Sequence, residues 1–149
     1  MLKQRLQNEL KQSMLARDGL KTSVLRLLLS AINYYEIQKG GAGYEATDED
    51  VLSVIQKEVK QRKDSIEQFQ KGNRQDLVDK ETKELELLKQ YLPQQMSEEE
   101  IKKLVIEEIR QTGSQSIQNM GKVMKTLMPK LKGKADRGVV STMVKKELH

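Results

Sequence analysis

The sequence predicts an all-α fold, with a helical N-terminal domain over residues 1–92 and a small three-helix C-terminal domain over residues 93–149. Three observations predict it. Apolar residues recur at three- and four-residue spacing in about seven segments. Glycine, proline and Ser/Thr/Asp signals of helix ends stand between those segments. No stretch of useful length alternates in the two-residue period of a strand, and no internal repeat appears. Composition and spacing change near Pro93, which places the boundary there.

Taken in order, Leu2, Leu6, Leu10 and Met14 give the first helix an apolar stripe that stops near Asp18-Gly19. Thr22 or Ser23 caps the second. In it Val24, Leu25, Leu27, Leu28, Leu29, Ala31, Ile32 and Tyr35 leave only a narrow polar stripe of Arg26, Ser30 and Asn33. A helix apolar on nearly all sides is expected to be central and largely buried. Gly40-Gly41-Ala42-Gly43 reads as a flexible loop, because a lone glycine cluster without a lysine motif is a poor phosphate cradle.

Thr47-Asp48-Glu49-Asp50 is an N-cap followed by acids that suit the helix dipole. The third helix then runs to about Gln70, with Val51, Ile55, Val59, Ile66 and Phe69 on one stripe. Gly72-Asn73 breaks it, and a fourth helix with Leu77, Leu85, Leu88 and Leu92 facing inward ends at Pro93. Ser97-Glu98-Glu99-Glu100 is a capping box for a fifth helix, through Ile101, Leu104, Val105 and Ile109 to Thr112-Gly113. Met120, Val123, Met124, Leu127 and Met128 form the apolar face of a sixth, ended by Pro129. Asp136 caps the last, through Val139, Val140, Met143, Val144 and Leu148. The seven methionines are read as core filling, the commoner role at helical spacing.

Composition removes most ways of being an enzyme. The 149 residues include no Cys and one His, at position 149. That excludes thiol nucleophiles, thiolate metal sites, a histidine triad and the usual imidazole acid–base chemistry. No metal ligands or cofactor are expected. Aromatic residues are only 3% of the chain, too few for a reader that stacks single-stranded bases. No apolar run has membrane-spanning length, and the first residues lack a signal peptide's apolar segment, so no membrane partner is expected. With the missing cysteines, this points to a cytoplasmic location.

Charge is unevenly distributed. Residues 1–92 carry +1, residues 93–112 carry −2, and residues 113–149 carry +6, from eight basic and two acidic side chains. The last quarter of the chain suits a polyanionic partner. Lys122 and Lys125 lie opposite the methionine face of the sixth helix. Lys130, Lys132 and Lys134 then alternate through a tight connection in which Gly133 can adopt a positive φ. Lysines beside a helix N-terminus make a phosphate site, although Asp136 fills part of that end. From charge alone an ordinary solvated face is the preferred reading of these lysines.

A second cluster puts Glu58 and Arg62 on the apolar stripe of the third helix, and Glu81 and Glu84 among the leucines of the fourth. A hairpin about Gly72-Asn73 sets Arg62 opposite residues 81–84. A structural charge network that fixes register is the preferred reading, since buried charges persist when paired. A carboxylate pair for acid–base or metal work is the alternative.

Several stretches together resemble the GatB/YqeY family. They are Leu25–Ile32 (LRLLLSAI), Glu58–Ser65 (EVKQRKDS), Asn73–Leu77 (NRQDL), Tyr91-Leu92-Pro93, Met120–Met124 (MGKVM) and Leu131–Asp136 (LKGKAD). The resemblance spans nearly the whole chain. It implies two helical domains and kinship with the tail of the B subunit of the tRNA-dependent amidotransferase, which amidates misacylated Glu-tRNA and Asp-tRNA. That tail is thought to contact tRNA. The ATP-dependent core and the Ser-Lys amidase centre belong to other parts of that enzyme and have no counterpart here. The resemblance thus implies an accessory tRNA-binding protein that uses Lys122, Lys125, Lys130, Lys132, Lys134 and Gly121. A partner from the tRNA aminoacylation machinery is also implied. Arg137, Lys145 and Lys146 fit the charge but no diagnostic motif. The rivals are an adaptor that docks proteins without RNA, and an amidase or amidotransferase working with a partner.

Overall fold

Helix α1 (Leu2–Leu15) contains the whole apolar stripe and ends three residues before the Asp18-Gly19 stop signal. Arg17 takes the left-handed conformation at φ +55°. The Asp18 amide then donates to the Ser13 carbonyl (2.9 Å) and the Arg17 amide to that of Met14 (3.2 Å). This paired closure satisfies the last carbonyls of the helix. It also frees Asp18 to cap α2 (Gly19–Gly40), its carboxylate accepting the Lys21 amide at 3.1 Å. The expected cap at Thr22 or Ser23 is therefore corrected. Asp18 sits one turn upstream with the extended backbone an N-cap needs, and Thr22 is used instead to hydrogen-bond the buried Ser13 hydroxyl.

The computed structural model describes every residue except 114, 115, 132 and 149, and among the described residues there is no strand. After a 3₁₀ turn at Gly41–Gly43, where a loop was expected, come α3 (Asp48–Lys71) and α4 (Gln75–Lys89). α5 (Glu98–Thr112), a second 3₁₀ turn at Ile117–Asn119, α6 (Met120–Leu131) and α7 (Arg137–Glu147) follow. The chain forms two compact units, Met1–Leu92 and Pro93–His149.

In the first unit α1, α3 and α4 pack against α2. Leu6, Leu25, Leu28, Ile32, Val51, Ile55 and Leu88 fill the core. The expectation that α2 is largely buried holds for only part of its circumference. Its neighbours cover the sector of Val24, Leu25, Leu28 and Ile32, while Leu27, Tyr34 and Ile37 are 55%, 64% and 64% exposed. α3 opens with a complete capping box between Thr47 and Asp50. At the start of α5 Ser97 accepts the Glu100 amide (3.2 Å) without the reciprocal bond. Asn73, at φ +56°, closes α3 as Arg17 closes α1.

In the second unit α5, α6 and α7 enclose Ile101, Val105, Val123, Leu127, Leu131, Val140 and Val144. Pro129 does not end α6, which continues to the fully buried Leu131. A proline in the last turn removes one N–H, and the burial of Leu131 outweighs that loss. Asp136 occupies the N-cap position of α7 but makes no side-chain cap bond. Of the methionines, Met124 is buried and Met96, Met120, Met128 and Met143 line this core. Met1 and Met14 are exposed, against the core expectation.

Candidate functional site

Burial of Val123, Leu127 and Leu131 orients α6, and the opposite side is left to water. Gly121, Lys122 and Lys125 lie on that exposed side. A Cβ on Gly121 would meet no atom within 4 Å, so helix packing does not require glycine there. Beyond α6, Gly133 is buried and adopts φ +77°. Its carbonyl accepts the Gln95 side-chain amide (2.7 Å), and the Lys134 carbonyl accepts the Met96 amide (3.0 Å). The backbone of this turn is thus tied to the segment leading into α5, while the Lys134 side chain stays exposed. Arg137, Lys145 and Lys146 on α7 are exposed as well. Lys132 lies outside the described residues.

Lys130 has a different first partner from the one expected. Its ammonium donates to the buried carboxylate of Glu108 on α5 at 2.9 Å. Hydrogen bonds from Lys130 and Thr126 hold the Glu108 carboxyl below its usual range against the effect of burial. Lys130 is therefore a clamp between α5 and α6, with half its length still exposed. Nothing local in the sequence marks Glu108, which is one of two adjacent glutamates.

In the first unit, Arg62 on α3 is buried and its guanidinium donates to Glu81 (3.0 Å) and to Glu84 on α4. Its Nε has no hydrogen-bond partner. Glu58, half-buried one turn away, is not among its contacts. With one oxygen of each carboxylate bonded to the same guanidinium, the arrangement joins two helices.

Two further polar clusters were not anticipated. Glu36, on the inner side of α2, is buried and accepts both Lys3 (2.8 Å) and the Ala46 amide (2.7 Å). The Lys3 bond, opposed by burial and helped by the Ala46 amide, keeps its carboxyl below the usual range. Asp50 accepts the hydroxyls of Tyr44 (2.6 Å) and Tyr35 (2.9 Å) and the Thr47 amide (3.0 Å), with Lys39 at 3.6 Å. Burial raises its pKa, and these hydrogen bonds overcome that and hold it well below the carboxylate range. The same bond, with burial, pushes the Tyr44 phenol up. The available signal was Asp, rather than a solvated Glu, as the third residue after Thr47, with Tyr35 on the apolar side of α2. Among the described residues no three His, Cys or acidic side chains converge as a metal site would. No helix among them is long and apolar enough to cross a membrane.

The profile of the Yqey-like protein family matches residues 3–148. Among curated relatives, "Altered inheritance of mitochondria protein 41, mitochondrial" of Lachancea thermotolerans is 44% identical over 90 residues, which is 60% of this chain and 46% of that protein. The protein of the same name from Saccharomyces cerevisiae strain YJM789 is 38% identical over 89 residues, 60% of this chain and 47% of the relative. "Uncharacterized protein C22F3.15" of Schizosaccharomyces pombe is 38% identical over 92 residues, 62% of this chain and 72% of the relative. The chain spans about half the length of the first two. Their names overturn the cytoplasmic expectation, because they are mitochondrial proteins. The physical reason is simple: a chain without thiols does not respond to the redox state of its surroundings, so cysteine content could not identify a compartment.

Proposed function

Since the chain belongs to the Yqey-like protein family, we propose that it is a non-catalytic tRNA-binding protein associated with tRNA-dependent amidation. The second unit supplies the electrostatic surface. One observation carries the reading: Lys122, Lys125, Lys134 and Arg137 are all exposed on a unit whose last 37 residues hold eight basic and two acidic side chains. Apolar residues hold α6 and α7 by their inner faces, so the cations meet a polyanion without unfolding anything. Recognition rests on backbone phosphates and shape, since the second unit contains no aromatic residue. Lys130 adds a weaker contact, its charge being shared with Glu108. A protein partner from the tRNA aminoacylation machinery would supply any chemistry.

Titration of tRNA binding against salt tests this. Four phosphate contacts give a log–log slope of about −3, and replacing Lys122, Lys125 and Lys134 with Ala flattens it to about −1. Absence of tRNA affinity at low salt, or affinity indifferent to salt, overturns the reading. The amidase alternative gains no support from Glu81 and Glu84, whose carboxylates are both bonded to Arg62.

A further inference from the structure

The outer face of α2 is apolar, cationic and free of exposed carboxylates. At 100° per residue Leu20, Ser23, Leu27, Ser30, Tyr34 and Ile37 fall in one sector of about 100°, with Arg26 at its edge. All seven are exposed. The only acid within α2, Glu36, points to the opposite side and is buried under Lys3. Asp18, at the N-terminal end, is turned onto the Lys21 amide as the helix cap. Where the stripe meets the end of α1 there is a hollow of about 610 Å3 lined by Met14, Arg17, Thr22, Arg26 and Leu27. Arg17 is held there by the left-handed turn, and the Arg26 guanidinium lies 3.8 Å from the Met14 sulfur.

We infer that the outer face of α2 is a docking site for an acidic amphipathic helix of a partner protein. From Leu20 to Ile37 the stripe spans 18 residues of α2, about 27 Å, which matches about 18 residues of a partner helix. Leucine-like anchors at i, i+3/i+4 and i+7 fit the apolar stripe, and carboxylates flanking them reach Arg17 and Arg26. A second copy of the chain is a poor occupant, because pairing two such faces sets four guanidiniums in one interface without an exposed acid. RNA is another poor occupant, because Leu27, Tyr34 and Ile37 gain nothing from a phosphate backbone.

The test is selection of a displayed random peptide library on the intact protein, with removal of clones that also bind the Leu27→Ser/Ile37→Ser variant. These positions are exposed, so the variant keeps its fold, and circular dichroism checks that. Enriched clones are expected to be net acidic with apolar residues at helical spacing. A synthetic peptide from that pool should lose at least tenfold in affinity on Arg17→Glu/Arg26→Glu, and a charge-reversed peptide should regain binding to that variant. The Lys122, Lys125 and Lys134→Ala variant should bind the peptide unchanged, which separates this site from the RNA surface. Neutral or basic clones, failure to enrich over the variant, or indifference to Arg17 and Arg26 overturns the inference. So does a dimer of the unmodified chain that Leu27→Ser dissociates, or loss of tRNA affinity on Arg17→Glu/Arg26→Glu equal to that of the lysine variant.

Discussion

Arg17 sits at φ +55°, in the position of a helix-closing turn that glycine fills at least cost. An L side chain there is strained by about 1–2 kcal/mol, partly offset in glycine by the greater freedom of its unfolded chain. Arg17→Gly should therefore raise stability by about 0.5–1 kcal/mol in a denaturant melt. The same substitution should weaken any acidic ligand of the α2 face, which separates the two effects of one side chain. Arg62 behaves oppositely. Removing it leaves Glu84 buried without a partner, so Arg62→Ala should cost about 3–5 kcal/mol in unfolding free energy. Adding Glu81→Gln and Glu84→Leu to Arg62→Met should restore much of that loss, because apolar side chains of similar volume need no partner. An Arg62→Ala protein as stable as the parent would show that the network does not hold the hairpin.

At the level of elements, two contacts decide how helices begin and join. Asp18 starts α2, and Asp18→Ala should cost about 1 kcal/mol and expose the amides of its first turn to faster hydrogen exchange. The Lys130–Glu108 pair joins α6 to α5. The Glu108 carboxyl is depressed in the folded state from its ordinary 4.5, so the unfolded chain binds the proton more readily. The pair's contribution is complete above that value and is lost as pH falls through the lower folded value. Melting temperatures of the parent protein should accordingly fall between pH 6 and 3. Lys130→Met should lower the plateau at pH 6 and flatten that fall. An acid limb of unchanged steepness would mean that the pair adds nothing to stability.

Across the whole molecule, the two cores share no residue. A cavity in one core should therefore leave the other unit's melting in place, if each unit folds by itself as the change of spacing at Pro93 suggests. Leu28→Ala and Leu127→Ala remove fully buried side chains from the first and second cores and should each cost about 2–5 kcal/mol. In calorimetry each should lower one of two transitions and leave the other unmoved, whereas a single transition lowered by both would show one cooperative fold. The charge division runs along the same line. The first unit is nearly neutral and carries the proposed docking face on α2, whereas residues 113–149 of the second unit carry +6 and the proposed surface for polyanions.

The sequence by itself determined that the chain is helical, where most helices end, and which family it resembles. Those properties are local: spacing of apolar residues, caps such as Thr47, and turns such as Gly72-Asn73 act over a few residues. The meeting of Arg62 with Glu81 and Glu84 is nearly local too, because a tight turn between two helices fixes their register. Only the tertiary structure decided the rest. A helix's own perimeter says how much apolar surface α2 could bury, but the positions of α1, α3 and α4 select which sector is covered. Lys130 carries the same charge as Lys125, yet Glu108, 22 residues away, makes it a clamp while Lys125 stays in water. Pro129 signals a helix end in isolation, and the burial of Leu131 overrules it. In each case a non-local contact outweighs a local preference of about 1–3 kcal/mol, and no reading of neighbours in sequence contains that contact.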